Sequence, residues 1–385
     1  MKVAPIPKPE ARRSKLATTY AFLKAEIARG RWAVGEQIPT EVELAESLDC
    51  GRSTIGGAIA RLVHDGLVER KTRTGTRVLR FEPSSANGSG AASGSTGGKV
   101  MQLDAFAFIY SSELHEGIFR MVSGFQLAAR ERNRRVVTLT TGTDCRKEAE
   151  FIGRLTEFDV KGAVVNPLVS TVQEQMHFSS ALANPSLPVV LAGTNLPGSG
   201  CPSVLADNFH VGYTMTRHLI DQGLRRIGFF SNHAWAQFMR DRYQGYRWAL
   251  KSAGLAEQPE YVFLEEGRRV DFSDPLQEPK KLASAYLASA GPMEGVVCAD
   301  DFLAFGLILA AREMGLRIPD DLKVTGHGDF SPPDCIDIPV TSYRVPYETI
   351  GRESFRVLES CLASRPVRPG SLLIEGELVV RPSTG

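Results

Sequence analysis

Residues 82–99 read EPSSANGSGAASGSTGGK. The stretch is almost entirely Gly, Ser, Ala and Asn, with no large apolar side chain. Such a segment buries too little surface to offset the entropy of ordering it. It reads as a flexible linker, too long for a connection inside a compact unit. One continuous core is thereby excluded. The chain of 385 residues divides into an N-terminal unit at 1–81, the linker at 82–99 and a body at 100–385. The body is long enough to bury a sizeable core of its own.

The two parts differ in charge. Residues 1–81 hold 15 Lys and Arg against nine Asp and Glu, and the rest of the chain holds 30 against 35. A basic small unit on a mildly acidic body points to a polyanion partner for the first part alone. The cysteines at 50, 145, 201, 298, 335 and 361 include no Cys-x-x-Cys pair, so metal-site spacing is absent and reduced thiols are expected. The stretch MKVAPIPKPEARRSK lacks the apolar centre of a secretory signal. The longest apolar run, FLAFGLILAA at 302–311, is far short of the ~20 residues that span a bilayer. The expectation is a soluble, cytoplasmic protein with no metal or cofactor.

The N-terminal unit reads as three helices and a ribbon. Leu16, Tyr20, Leu23 and Ile27 recur at helical spacing, and Gly30 ends the run. Thr40 with Glu43 three residues later is a capping box, followed by the apolar face of Leu44, Ala45 and Leu48. Ile55, Ile59, Leu62 and Val63 mark a third helix, ended by Gly66. LVERKTRTGTRVLRF then reads as two short strands around a basic turn. This is the pattern of a winged helix-turn-helix.

After the linker, strands and helices alternate. AFAFIY, RVVTLT, GAVVN, PVVLAG, RIGFFS, YVFLE, GVVCA and KVTGHG are short apolar or β-branched runs. Amphipathic segments such as GIFRMVSGFQLAARER separate several of them. The rhythm predicts an α/β body with largely parallel sheets and helices on both faces. Periodicity leaves open one large sheet or two smaller lobes.

From about Lys15 to Phe81 the chain resembles the GntR family of bacterial transcription regulators. The run from Gly30 through Gly35 and Ile38 to Glu41 matches that family's approach to its second helix. Arg52, Thr54, Ile55, Ala58, Leu62 and Gly66-Leu67 match the recognition helix and its exit, and Gly75-Thr76 the wing tip. The resemblance implies a DNA-binding set of Thr40, Arg52, Ser53, Thr54, Arg73, Gly75, Thr76 and Arg77. The chemistry fits, because a helix N-terminus with a guanidinium and two hydroxyls suits phosphates and base edges. The basic wing suits a DNA backbone or minor groove. Three positions depart from the family. Gly51 stands where Ser is usual, Gly56 where a base-contacting Arg is usual, and Arg73 where the wing often has Gly. Gly56 and Gly57 each cost a helix roughly 1 kcal/mol relative to Ala. Either the bare backbone approaches the groove and specificity moves to Arg52, Thr54 and the wing, or sequence-specific reading is lost.

From Val100 onward the chain resembles the effector domain of the LacI/GalR family. The matching blocks include LADNFHVGYTMTRHLIDQGLRRIGFFS, RYQGYRWAL, GVVCADDFLAFGLILAAREMGLRIPDDLKVTGHGDF and the closing Arg381-Pro-Ser-Thr-Gly. The resemblance implies two α/β lobes of the periplasmic-binding-protein type, joined by three crossings around a ligand cleft. It also implies a ligand-clamping role for Arg242, a cleft carboxylate at Asp301, and Asp329 near the cleft mouth. Arg242 otherwise reads as a surface cation, and Asp301 as a helix N-cap. A guanidinium holds two hydroxyls or a carboxylate equally well. Two loops depart from the family, His115-Glu116-Gly117-Ile118 and Gly193-Thr194-Asn195. His115 is a further ligand candidate, as is Trp235, whose ring would stack on a sugar face.

No Gly-x-Gly-x-x-Gly, Gly-x-Ser-x-Gly or His-Glu-x-x-His motif occurs where catalysis would need it. The sequence therefore reads as a ligand-responsive DNA-binding regulator and not an enzyme. It is expected to repress carbohydrate-metabolism genes, as a homodimer on a double-stranded operator, released by a sugar-like effector. The other reading is a sensor acting through protein contacts, with a weak or non-specific DNA-binding domain.

Overall fold

The computed structural model of the chain describes residues 15–29, 31–32, 36–48, 51–64, 67–71, 75–78, 105–111, 115–141, 145–167, 169, 171–183, 185–265, 274–363 and 370–385. The expected linker at 82–99 lies outside the described residues. The chain divides into two compact units, Met1–Gly97 and Gly98–Gly385.

In the first unit α1 (Lys15–Ala28), α2 (Glu41–Leu48) and α3 (Arg52–His64) precede an antiparallel ribbon, β1 (Val68–Lys71) and β2 (Gly75–Val78). Leu23 and Ile27, Leu44 and Leu48, and Ile55, Ile59 and Leu62 supply one apolar stripe per helix. These stripes meet in a single core with Trp32, Val68 and Val78. The capping box forms. The Thr40 hydroxyl accepts from the Glu43 amide at 3.3 Å, and the Glu43 carboxylate accepts from the Thr40 amide at 2.8 Å. Glu26 is buried, yet Arg31 at 2.5 Å and Arg29 at 2.8 Å hold it. The Arg31 hydrogen bond is the main cause of its lowered pKa, against the effect of burial.

The second unit has two lobes. The first begins with β3 (Ala105–Tyr110), α4 (Glu116–Glu131), β4 (Arg135–Thr140), α5 (Cys145–Arg154), β5 (Val160–Asn166), α6 (Val172–Leu182), β6 (Val189–Ala192) and β7 (Ser203–Ala206). The chain then crosses to build α7 (Asn208–Asp221), β8 (Ile227–Ser231), α8 (Gln237–Ser252), β9 (Val262–Leu264), α9 (Gln277–Ser289), β10 (Gly295–Cys298), α10 (Asp301–Glu313), β11 (Lys323–His327) and β12 (Thr341–Arg344). It returns for α11 (Tyr347–Leu362) and β13 (Ser371–Ile374), and crosses a third time for β14 (Glu377–Val379). One sheet runs β13-β7-β6-β5-β3-β4, all parallel; the other runs β14-β12-β11-β10-β8-β9, with only β14 antiparallel. The choice between one sheet and two, left open by periodicity, is thus two sheets of six strands.

All eight body strands expected from the sequence are present. β7, β12, β13 and β14 carry no comparable signal. β12 reads Thr-Ser-Tyr-Arg, yet Thr341 and Ser342 are buried. The closing residues make this possible. Ser383 Oγ accepts from the Thr341 amide at 2.8 Å and donates to the Val324 carbonyl at 2.6 Å, and the Thr341 and Thr384 hydroxyls are 2.8 Å apart. A polar strand becomes a core strand because the tail satisfies the Thr341 hydroxyl and Asp301 accepts from that of Ser342.

Each lobe is stiffened by one close helix pair. In α7–α8, a Cβ on Gly212 would collide with the Arg242 carbonyl, and one on Gly245 with the Phe209 carbonyl. In α4–α11, Gly124 and Gly351 stand in the same relation to the carbonyls of Glu348 and Met121. Gly212→Ala and Gly351→Ala are each expected to destabilise the body by roughly 1–3 kcal/mol or more through overpacking. Gly153→Ala in α5, with open space around it, should gain up to ~1 kcal/mol. Thermal denaturation of the three variants checks the contrast; equal melting temperatures would refute it.

Candidate effector cleft and nucleic-acid interface

In the first unit α3 runs unbroken through Gly56 and Gly57, both half-buried. Ile55, Ala58, Ile59 and Leu62 face the core. Thr54 is half-buried in the first turn, and its amide bonds the Gly51 carbonyl at 3.0 Å. Arg52 and Ser53 open the helix, and Arg73 lies outside the described residues. Thr40 is exposed, but its hydroxyl is committed to the capping box. Gly75 begins β2, and Arg77 beside it is exposed. Thr76, the other wing residue expected at the DNA, has a buried side chain. It is 8% exposed, and its carbonyl accepts from the Ile38 amide, so it ties the wing to the segment before α2.

In the second unit a cavity of about 360 Å³ opens between the lobes. It lies at the carboxyl ends of the strands, where the loops of both sheets converge. The first lobe contributes the start of α4 and the Gly193–Leu196 loop; the second contributes Asn232–Met239, Arg242, Asp300, His327 and Phe330.

Arg242, 6% exposed, projects from α8 into this space. Its Nε donates to Asn208 Oδ1 at 2.8 Å, and the Asn208 amide donates to the Ala206 carbonyl at 2.9 Å, so the guanidinium is tied to the first crossing. Nη1 donates to the Ala299 carbonyl at the end of β10. Nη2 has no hydrogen-bond partner among the described residues. Burial lowers the pKa to about 10, still charged at neutral pH. The surface-cation reading of Arg242 is excluded by its burial.

The carboxylates fall differently from expectation. Asp300, not Asp301, lies on the cavity wall and caps α10, accepting from the Leu303 amide at 2.8 Å. Asp301 points behind the wall. It accepts from the Phe330 amide and the Ser342 hydroxyl at 2.8 and 2.7 Å, and burial raises its pKa to about 7. Its work is to hold the loop that carries Phe330 into the cavity. Asp329 is also off the wall. It adopts φ 55° and is gripped by Arg344 at 2.6 Å and by Arg381. Burial opposes its ionisation, but the two guanidiniums prevail and lower its pKa.

His115 and Trp235 do line the cavity, in forms the sequence did not specify. His115 caps α4 through Nδ1, so its neutral ring carries the proton on Nε2. Its ring packs edge-on against Phe330 at 5.1 Å. Trp235 buries an indole N–H with no partner among the described residues. The same holds for Asn195 Oδ1, Asn232 Oδ1, His233 Nδ1 and His327 Nε2, all on the cavity wall. Three of these five sit in one loop, Asn232–Trp235, where His233 takes φ 50°. Buried polar atoms are nearly always paired, and each unpaired one costs about 1–3 kcal/mol. Five such atoms are gathered around this one cavity. Sequence reasoning missed four of them, because neither Asn and His residues in loops nor a His at the end of a strand, as His327 is, carry a periodic signal.

The lobes also touch beside the cavity. Glu116 Oε2 in α4 accepts from the Ser331 amide at 2.9 Å, and Phe330 stacks on Tyr347 with ring centres 5.8 Å apart.

Comparison with known proteins agrees with this geometry. Residues 16–78 match the model for bacterial regulatory proteins of the gntR family, and residues 216–384 match the periplasmic binding protein-like domain. The arabinose metabolism transcriptional repressor of Geobacillus stearothermophilus is 26% identical over 97% of this chain and 99% of its own length. The HTH-type transcriptional repressor CytR of Escherichia coli K12 is 28% identical over 57% of this chain and 60% of its own. The structure of the transcriptional regulator CelR in complex with cellobiose superposes with a TM-score of 0.63 at 22% identity, covering 90% of this chain and all of that one. No helix among the described residues is long and apolar enough to cross a membrane.

Two outcomes follow. Asn232→Leu and Trp235→Phe remove unpaired polar atoms, so the ligand-free protein should keep its stability or gain up to ~1 kcal/mol. A drop of several degrees in melting temperature would mean these atoms are satisfied. Burial lowers the pKa of His115 to about 4 from 6.5. The unfolded chain then binds this proton first, so stability present above pH 6.5 is lost as pH falls towards 4, on the order of 1–3 kcal/mol. His115→Asn keeps a capping acceptor without titrating, and should flatten that part of the melting-temperature profile between pH 7.5 and 5.

Proposed function

We propose that this chain, a DNA-binding transcriptional regulator that joins a gntR-type domain to a periplasmic-binding-protein-like body, is a repressor released by a small sugar-like effector. The observation that carries the reading is the set of five unpaired buried polar atoms on one cavity wall. Asn195 comes from one lobe, and the other four come from its partner lobe. A compound rich in hydroxyls, each both donor and acceptor, answers all five and must touch both lobes to do so. It would thereby favour the closed arrangement in proportion to its difference in affinity for the two states.

The effector contacts are assigned to His115, Trp235 and Arg242 with Asn195, Asn232, His233, Asp300 and His327. The DNA contacts are assigned to the first turn of α3, from Arg52 to Thr54, and to the wing with Arg73 and Arg77. Two copies pairing through their bodies would present two such helices to paired half-sites. The relatives named as repressors of arabinose metabolism and the cellobiose-bound regulator support a carbohydrate effector.

Gly56 and Gly57 on α3 favour a second reading, in which DNA binding is weak and non-specific and the sensor acts on proteins. Fluorescence anisotropy with DNA from the protein's own upstream region separates the two. Tight binding over scrambled DNA at ~0.15 M salt, reversed by a compound found in a thermal-shift screen of sugars, is the expected result. Asn195→Leu should then bind the same DNA and fail to release it. Equal affinity for scrambled DNA would establish the second reading instead.

A further inference from the structure

We propose that Phe330 is a latch between the lobes, which populates their closed arrangement before any ligand binds. Its ring stands on the loop after β11, in the second lobe, and is buried. Tyr347, the first residue of α11 in the first lobe, stacks on it at 15°, with ring centres 5.8 Å apart. His115, which caps α4 in the same lobe as Tyr347, meets it edge-on at 5.1 Å. Phe302 of its own lobe lies 5.4 Å away. Beside the ring, the Ser331 amide donates to Glu116 Oε2 in α4 at 2.9 Å. A side chain of the second lobe is thus seated among side chains of the first.

Each half of the contact is built from within its own lobe. In the second lobe, Asp301 Oδ2 accepts from the Phe330 amide at 2.8 Å, and Ser342 Oγ accepts from the Asp329 amide at 3.0 Å. Gly328 takes φ 123°, and a Cβ there would lie 2.6 Å from the Phe330 ring, so the ring packs down on its own backbone. In the first lobe, the Tyr347 ring lies only 2.7 Å from where a Cβ on Gly117 would stand. The Arg120 guanidinium sits over the same ring at 5.3 Å, and is itself held by Glu348 at 2.8 Å and by the Val345 carbonyl at 3.4 Å. Parting the lobes would return two buried aromatic rings to water and undo their stacking. No ligand takes part in that contact, so the gain is present without one. Opening would hydrate the unpaired polar atoms of the wall, which pulls the other way and keeps the ligand-free protein a mixture of both arrangements. An effector then acts on a closed population already present, as a population shift requires.

The distance across the cleft reads the latch directly. Met176 in α6 and Lys281 in α9 are exposed, and their helices border the cavity from opposite lobes through Gln175 and Pro279. Both positions are replaced by p-acetylphenylalanine and spin-labelled there, which leaves the native cysteines untouched. The doubly labelled full-length chain is co-expressed with an excess of unlabelled chain and measured by double electron–electron resonance without ligand. A population at the separation of the arrangement described above is expected beside a longer one. Phe330→Ala should lower the ratio of short to long by roughly tenfold, through loss of the stacked pair and its buried area. Where Phe330→Ala does not fold, Phe330→Leu takes its place, since it keeps most of the volume and loses the stack. A wild type with no short population, or an unchanged ratio in the folded variant, would overturn the latch. So would a lower melting temperature with unchanged distances, because Phe330 would then only pack its own lobe. None of these outcomes touches the effector site, whose test is the release of DNA.

Discussion

The cleft is organised around one buried guanidinium. Arg242 reaches from α8 to Asn208 at the first crossing and to the Ala299 carbonyl at the end of β10. It thus joins α8 to the first residue of α7 and to the end of β10 in one lobe while facing the cavity shared with the other. A buried cation is costly unless hydrogen-bonded, and these acceptors meet most of that demand. The close fit of α8 on α7, possible only because Gly212 and Gly245 lack a Cβ, fixes where the guanidinium stands. The group that faces the cavity and the first crossing are therefore held by the same hydrogen bond.

Around that anchor the wall keeps polar atoms unpaired. At about 1–3 kcal/mol each, five such atoms are a large burden against a typical net stability of 5–15 kcal/mol. The remainder of the body offsets it. Both sheets are sealed by buried apolar strands, each lobe has a glycine-packed helix pair, and the closing Ser383 and Thr384 satisfy the polar strand β12. Asp301 and Asp329 belong to this supporting structure. One holds Phe330 in the cavity and the other ties the same loop to Arg344 and Arg381.

Much of this was legible in the sequence for definite reasons. Helical spacing of Leu23 and Ile27, or of Ile55, Ile59 and Leu62, needs only a local pattern. The capping box at Thr40 and Glu43 is a three-residue rule. Eight apolar strands announced themselves as hydrophobic runs. Strand β12 did not, because it is polar and its partners lie about 40 residues away in the tail. The confusion of Asp301 with Asp300 has a similar root. Two adjacent carboxylates precede α10, and which one faces the cavity depends on a one-residue choice of helix start. The burial of Thr76 was likewise not legible, since it depends on the Ile38 segment folding back on the wing.

By itself the sequence determined the division into a small basic helical unit and a large α/β body, and the presence of Arg242, His115 and Trp235 as candidates. The division follows from local pattern, charge and composition, which act over a few residues, and the three candidates from the resemblance to the LacI/GalR family. The tertiary structure alone decided that there are two sheets, that Asp300 replaces Asp301 on the wall, and that Asn195, Asn232, His233 and His327 stand unpaired around one cavity. Each of those depends on which groups are left without a partner once segments far apart in the chain have met. Hydrogen-bond satisfaction is a property of the packed whole, and no local pattern records it.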